Sequence, residues 1–389
     1  MTSREHLRNT AEVNRLLRLA NLDALVTTTP ENVCYLAGLY IPNPVRLRER
    51  EHVVVWPSQG EPTLITPQRQ SGEPLAISDV RGYDFYQRTE AATDARGHAY
   101  VHRSAGPLLI EVLKEKDLGA TRIGVERSEL SAELYQLLNA TLPHATFVDS
   151  TSLLQEARMA KTPQEIELLR AAANATAKAI QVSFELARPG DTARDLAHTI
   201  ESALLRFGAD SITFIELEVI RNDIRLDYFS HNTTFIPGDI IRVDVSGCFA
   251  GYMSDIARTG VVLECTTDLL DQYHKIKHVQ TRIIHEAIIP GHTGADLYAR
   301  VDSIFRQTDL KTPWGMIVHG IGLGLHERPW LREVETFTIR PNMTLMVEIY
   351  YHGPDGQIRQ HVEDLVVVAD AGAMVVNTFE SPPEPFVIQ

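Results

Sequence analysis

Residues 237–260, PGDIIRVDVSGCFAGYMSDIARTG, constrain this chain more than any other stretch. A Pro-Gly-Asp turn leads into a β-branched run (Ile240, Ile241, Val243, Val245), then a bend of small residues, then a return through Tyr252 to Ile256. Two such runs around a bend read as a β-hairpin. With the bend centred on Phe249 and Ala250, Asp244 and Asp255 are equidistant from it and are expected to face each other. Facing Cβ atoms in an antiparallel pair lie about 4.5–5.5 Å apart. Two carboxylates that close are tolerable only with a shared proton or a cation between them. A second stretch, TLMVEIYYHGPDGQIRQHVEDLVVV, repeats the arrangement around Asp355-Gly356, a dipeptide that favours the two-residue type I′ turn. Glu348 and Glu363 are equidistant from that turn, and four carboxylates in two facing pairs predict a metal centre.

Between the hairpins lies HGIGLGLHE, from His319 to Glu327. Its glycines let backbone approach a ligand closely. Its two histidines, His319 and His326, are the natural supply of nitrogen ligands or proton carriers for the same site.

A length of 389 residues exceeds one ordinary domain and suits two. A formal net charge of −14 argues against nucleic acid or an anionic membrane as the main partner. Cys34, Cys248 and Cys265 form no C-x-x-C pair, so neither a disulfide framework nor a thiolate metal site is expected. The first residues are polar and charged and show no signal peptide, and LVVVADAGAMVV is too short to span a membrane. A cytoplasmic location is the expectation.

The first part of the chain alternates helix and strand signals as an α/β unit does. A helical pattern covers 5–20, DALVTTT is strand-like, and Pro30-Glu31-Asn32 starts a helix. HVVVWP, PTLITP and RIGVE read as strands, and SELSAELYQLLNAT as a helix with Ser128 as its cap. No dinucleotide fingerprint or phosphate loop is present. Arg46, Arg48 and Arg50 fall between strands, either on a solvated loop or on one that offers an arginine to a neighbouring subunit's site.

A boundary falls near 155–163, where Thr162, Pro163 and Glu165 make a strong helix start. The helix beyond it is long and amphipathic, with Ile166, Leu169, Ala173 and Ile180 on one side, then a Pro-Gly turn and a helix from near Thr192. IKHVQTRIIHEAIIPGHTGADLYARVDSIF gives the same succession again. Two helix, Pro-Gly, helix units, each followed by a carboxylate hairpin, suggest an internal duplication.

Asp244, Asp255, His319, Glu348 and Glu363, in this order and in these motifs, resemble the five ligands of the creatinase/aminopeptidase P/prolidase/methionine aminopeptidase family. LDALVTTTPENVCYLAGL, at 22–39, resembles the start of the amino-terminal domain of the creatinase, prolidase and aminopeptidase P branch, and AKTPQEIELLR its domain junction. The resemblance covers nearly the whole chain. It implies an α/β two-domain subunit: an N-terminal creatinase-like α/β domain over 1–157 and a C-terminal α+β pita-bread catalytic domain over 158–389. It also implies a dinuclear metal centre, a homodimer and hydrolysis of an amide-type bond.

Four carboxylates and one imidazole make an oxygen-rich set that favours Mn²⁺, with Zn²⁺, Co²⁺ and Fe²⁺ left open. Two ions about 3.5–4 Å apart would share a bridging water and yield a hydroxide nucleophile at neutral pH. By the family pattern, Asp244 binds one metal, His319 and Glu348 the other, and Asp255 and Glu363 bridge. Glu348 would also act as general base and pass the proton toward the leaving amine. His326 matches a family histidine that contacts the substrate carbonyl and stabilises the oxyanion. His231 matches a further histidine used for substrate or leaving-group contacts, at a shorter spacing from Asp244 than the family's; a structural or solvent role is its alternative.

Three departures touch the pocket without removing a ligand. Family peptidases commonly have Pro-Gly after the first glutamate, where this chain has Ile349-Tyr350-Tyr351. Many carry an arginine two residues before the last glutamate, here His361, and a histidine four residues before the ligand histidine, here Gly315. The leading function is a metal-dependent hydrolase of Xaa-Pro peptides, of aminopeptidase P or prolidase type. The alternative is a hydrolase of a small amide or guanidino compound, as ectoine hydrolase and creatinase are. A catalytically silent binding protein ranks third, because nothing maintains a repulsive carboxylate cluster once the metal is gone.

Overall fold

The structure, a computed structural model, describes residues 7–41, 50–67, 75–83, 104–227, 232–311 and 317–389. Of the residues singled out above, Arg46, Arg48, His231 and Gly315 lie outside that set. The chain divides into two compact units, Met1–Arg158 and Met159–Gln389.

The first unit runs α1 (Thr10–Leu19), β1 (Ala24–Thr27), α2 (Pro30–Ala37), β2 (Val53–Pro57), β3 (Thr63–Pro67), β4 (Asp79–Tyr83), α3 (Gly106–Glu115), β5 (Arg122–Val125), α4 (Ala132–Thr141), β6 (Thr146–Asp149) and α5 (Thr151–Met159). Its strands form one mixed sheet in the order β4-β3-β2-β1-β5-β6. Val26, Val55, Ile65, Leu109, Leu113, Ile123 and Leu138 belong to one buried core between sheet and helices. Two helix starts differ from expectation, and in each the side chain nearest the first turn wins the cap. Asn9 accepts from the Glu12 amide, so α1 starts at Thr10 and not near residue 5. Ser131 accepts from the Leu134 amide at 3.1 Å and caps α4, in place of Ser128.

The second unit runs α6 (Pro163–Leu186), α7 (Ala193–Arg206), β7 (Ser211–Arg221), β8 (Ile224–Asp227), β9 (Ile240–Phe249), β10 (Tyr252–Met253), β11 (Ile256–Val262), α8 (Thr267–Arg282), α9 (Gly294–Phe305), β12 (Val318–Gly320), β13 (Glu327–Trp330), β14 (Thr344–His352), β15 (Ile358–Ala369), β16 (Gly372–Val375) and β17 (Phe386–Ile388). Thr162 and Glu165 close a reciprocal capping box on α6, and Ile166, Leu169, Ala173 and Ile180 are buried as the amphipathic pattern requires.

Two sheets form, β17-β11-β9-β7-β8 and β13-β12-β14-β15-β16. The run β11-β9-β7-β8 matches β15-β14-β12-β13 strand for strand, and each follows a pair of helices joined through Pro-Gly. The joints match as well: Thr192 and Thr293 each cap the second helix in a box with an aspartate, and each bridges a threonine further on, Thr234 and Thr338. The repeat suggested by the two helical segments is therefore present in the topology.

The two hairpins differ from expectation in their turns. The first turns at Ala250-Gly251, both at positive φ (53° and 95°), with Tyr252 opposite Phe249. Bulky Phe249 is ill suited to that conformation, and Gly251 accepts it without cost. The register therefore moves by two residues, and Asp244 faces Ala257, with Asp255 diagonal to it on the same side. In the second hairpin Glu348 does face Glu363 directly. Its turn, however, is Pro354-Asp355 closed by a Gly356 amide to Gly353 carbonyl bond, with only Gly356 at positive φ. Proline presets the first turn position, so a type I turn followed by a left-handed glycine replaces the type I′ turn.

The sheets meet where β11 packs on β15. The Thr259 hydroxyl donates to the His361 carbonyl (3.0 Å) and accepts from the His361 amide (2.9 Å). Buried Arg258 donates to the Glu363 carbonyl (2.6 Å) and pairs with Asp364 (2.9 Å). These bonds fix the two carboxylate hairpins against each other.

Candidate metal centre

Asp244 on β9, Asp255 just before β11, His319 on β12, Glu348 on β14 and Glu363 on β15 converge on one place. His319 Nε2 lies 3.9 Å from Asp255 Oδ2, 3.7 Å from Glu348 Oε1 and 3.8 Å from Glu363 Oε1. Ligand atoms of His319, Glu348 and Glu363 form one group close enough for an ion, those of Asp244, His361 and Glu363 a second, and those of Asp255, His319 and His326 a third.

The imidazole tautomer follows from its other nitrogen. His319 Nδ1 is 3.0 Å from the Gly320 carbonyl, which only accepts, so Nδ1 carries the proton. Nε2 therefore turns a bare lone pair toward three carboxylates. His319 is fully buried, and burial first, then nearby His326, lowers its pKa to about 3. It therefore stays neutral around neutral pH.

Burial and mutual repulsion dominate the carboxylates. Burial first, then the negative neighbours, pushes Asp255, Glu348 and Glu363 well above the usual range. Asp244 rises for the same first reason, partly offset by Arg242. Among the described residues, no hydrogen bond reaches Asp244 Oδ1, Asp255 Oδ1, His319 Nε2 or either oxygen of Glu363. Native proteins rarely leave even one buried polar atom unpaired, and five in one cluster require an explanation. Divalent cations supply it, because they satisfy every one of these acceptors at once and cancel the repulsion. The donor set fits such ions.

Strand alternation sets the surroundings of the cluster. Residues two apart share a face, so Arg242 lies beside Asp244, Tyr350 beside Glu348, and His361 beside Glu363. Tyr350 and His361 are direct cross-strand partners, as are Glu216 and Asp244. Arg242, Glu216 and a positive role for Tyr350 do not emerge from reading motifs; stepping two residues along each strand from every ligand finds Arg242 and Tyr350. His326 lies 3.8 Å from Asp255 Oδ2 through Nε2, with its ring edge-on to His319 at 4.7 Å. Its side chain keeps 38% exposure, so it faces the open side of the cluster. Behind the glycine loop, Lys161 Nζ donates to Glu327 Oε1 (3.0 Å) and the Gly324 amide to Glu327 Oε2 (3.1 Å). An added Cβ at Gly322 would meet Glu327 Oε1 at 2.5 Å, so a larger residue there would have to displace the Glu327 carboxylate from its pair with Lys161.

Residues 167–370 match metallopeptidase family M24, and residues 10–160 match the Creatinase/Prolidase N-terminal domain. The chain belongs to metallopeptidase family M24. Similar proteins include a probable dipeptidase, PepE, of Mycobacterium tuberculosis, 27% identical over 92% of this chain and 90% of that one. An Xaa-Pro dipeptidase of Lactobacillus helveticus is 28% identical over 64% of this chain and 68% of its own length. Among solved structures, the X-Pro aminopeptidase of Thermotoga maritima superposes with a TM-score of 0.76 at 19% identity, covering 97% of this chain and 99% of that one, a likeness of fold. As an M24 protein the chain is a hydrolase of the peptidase class, built from a creatinase-type N-terminal domain and a pita-bread catalytic domain. Use of divalent metal belongs to that family, and the cluster above is where this chain offers ligands. No described helix is long and apolar enough to cross a membrane.

Proposed function

We propose that this M24 protein hydrolyses Xaa-Pro bonds in small peptides, dipeptides first, at a centre of two divalent ions held by Asp244, Asp255, His319, Glu348 and Glu363. The observation that carries this is the cluster of five buried acceptor atoms, drawn from four of those residues, without hydrogen-bond partners among the described residues. The dipeptidase names of the relatives support the substrate class. By the family pattern Asp244 would hold one ion, His319 and Glu348 the other, and Asp255 and Glu363 would serve both, with Mn²⁺ favoured by the oxygen-rich set. The ions supply Lewis acidity and an acidified water when bound.

The chain's own residues do the rest. As the nucleophile forms, Glu348 takes the released proton on Oε1, the oxygen that faces the cluster, and returns it to the leaving nitrogen. His326, on the exposed side of the cluster, donates to the carbonyl oxygen as negative charge develops there. The Glu327 anchor of the glycine loop holds His326 at that edge.

The test is a substrate panel with Mn²⁺-loaded protein: an Xaa-Pro dipeptide, an Xaa-Pro-Xaa tripeptide, ectoine and creatine. Cleavage of the dipeptide is expected. Cleavage of the tripeptide alone moves the assignment to the aminopeptidase P type. If both peptides survive while ectoine or creatine is cleaved, Tyr350 and His361 have reshaped the pocket for a small amide.

A further inference from the structure

The two oxygens of the Glu348 carboxylate have different surroundings. Its Oε1 faces His319 Nε2 at 3.7 Å, inside the cluster. Its Oε2 is reached by the Tyr350 hydroxyl and by His361 Nε2, the latter at 3.1 Å. The rings of Tyr350 and His361, cross-strand partners, lie against each other at a tilt of 30°, centroids 4.2 Å apart.

The direction of the His361 bond is set from behind. Arg242 Nη1 lies 3.4 Å from His361 Nδ1, and a guanidinium only donates. Nδ1 therefore accepts, and Nε2 carries the proton toward Glu348. Arg242 is itself held by Glu216 (2.7 Å) and Glu218 (2.8 Å), the second pair almost fully buried. A tyrosine hydroxyl facing a carboxylate also donates, so both bonds to Oε2 run the same way.

We infer that Tyr350 and His361 are positioning residues that occupy Glu348 Oε2 with two hydrogen bonds and so present Oε1 alone to the metal pocket, with Arg242 setting the imidazole tautomer that makes this possible. The inference rests on the metal-centre reading above. It assigns a use to two departures from the family's motif: Tyr350 stands where Pro-Gly commonly follows the first glutamate, and His361 where an arginine is common. Glu363, which has no such donors among the described residues, keeps both oxygens for ions.

The experiment uses the full chain in two forms. On metal-free protein, long-range ¹H–¹⁵N spectra report the His361 tautomer, assigned by loss of its signals in His361→Gln; a proton on Nε2 is expected. Mn²⁺ is then titrated calorimetrically into wild type, Tyr350→Phe, His361→Leu and His361→Gln. Tyr350→Phe and His361→Leu are expected to bind Mn²⁺ about 10–100-fold more weakly. His361→Gln should recover much of that loss, because its amide N–H can serve Glu348 and its carbonyl can serve Arg242. Wild-type affinity in Tyr350→Phe and His361→Leu, or a proton on His361 Nδ1, overturns the inference. Should His361→Leu fail to fold, Tyr350→Phe and the wild-type spectrum still decide it. Wild-type protein that takes up no Mn²⁺ overturns the metal-centre reading and this inference with it.

Discussion

Glu348 and Glu363 stand directly opposite each other across the β14–β15 pair, yet two hydrogen bonds reach Oε2 of Glu348 while neither oxygen of Glu363 has a partner among the described residues. Leaving a buried carboxylate undressed is costly, and a cation is the compensation its surroundings allow. Metal should therefore stabilise the fold. At free Mn²⁺ about 100 times its dissociation constant, each site adds about 2.7 kcal/mol. Urea unfolding with and without Mn²⁺ measures this; equal midpoints would count against ions in the cluster.

Replacing Glu348 by Gln removes the proposed proton acceptor and one carboxylate charge while keeping the shape. Turnover is expected to fall by at least about 10²–10⁴-fold, the usual worth of a general base. Circular dichroism and the melting temperature of the metal-free variant should remain those of a folded protein. Retained turnover would refute the role given to Glu348.

Lys161 and Glu327 form an ion pair whose side chains are 1% and 3% exposed. In Lys161→Met the Glu327 carboxylate is left buried without its cation, at a cost of about 3–5 kcal/mol. Urea denaturation reads the loss, and Lys161→Arg, which keeps the charge, should lose less. Indistinguishable midpoints for Lys161→Met and wild type would show the pair to be unimportant.

How much of this was legible in the sequence depended on what set each feature. The Glu348 and Glu363 pairing follows from their equal distance from Asp355-Gly356 and is seen, even though the turn there is of another type. The spacing of Asp244 and Asp255 puts the bend on Phe249 and Ala250, one residue before the observed turn, because Gly251 is the residue suited to positive φ. Strand periodicity still kept both aspartates on one face, so the error in register did not separate them. Arg242 was hidden because its partners, Glu216 and Glu218, come from a strand distant in sequence. The same holds for Lys161 and Glu327, joined across 166 residues. Motifs report what a segment carries; long-range polar pairs depend on packing that no segment records.

Glu165 offers a pH test away from the cluster. Burial raises its pKa from 4.5 to about 7, against the opposing effects of the Thr162 amide and the Tyr252 hydroxyl. Between those values the folded state holds a proton that the unfolded state has lost. Its contribution to stability is therefore full below the lower value and disappears as pH rises through the upper one. Glu165→Gln removes this dependence, so the variant should gain on wild type between about pH 5 and pH 8. Parallel stability curves for the two proteins over that range would contradict it.

The most direct test of the account is anomalous diffraction from crystals of the full chain grown with Mn²⁺. Two anomalous peaks are predicted, one held by Asp244, the other by His319 and Glu348, and both by Asp255 and Glu363. Full Mn²⁺ in the crystals with no peak among these five residues would contradict the central claim.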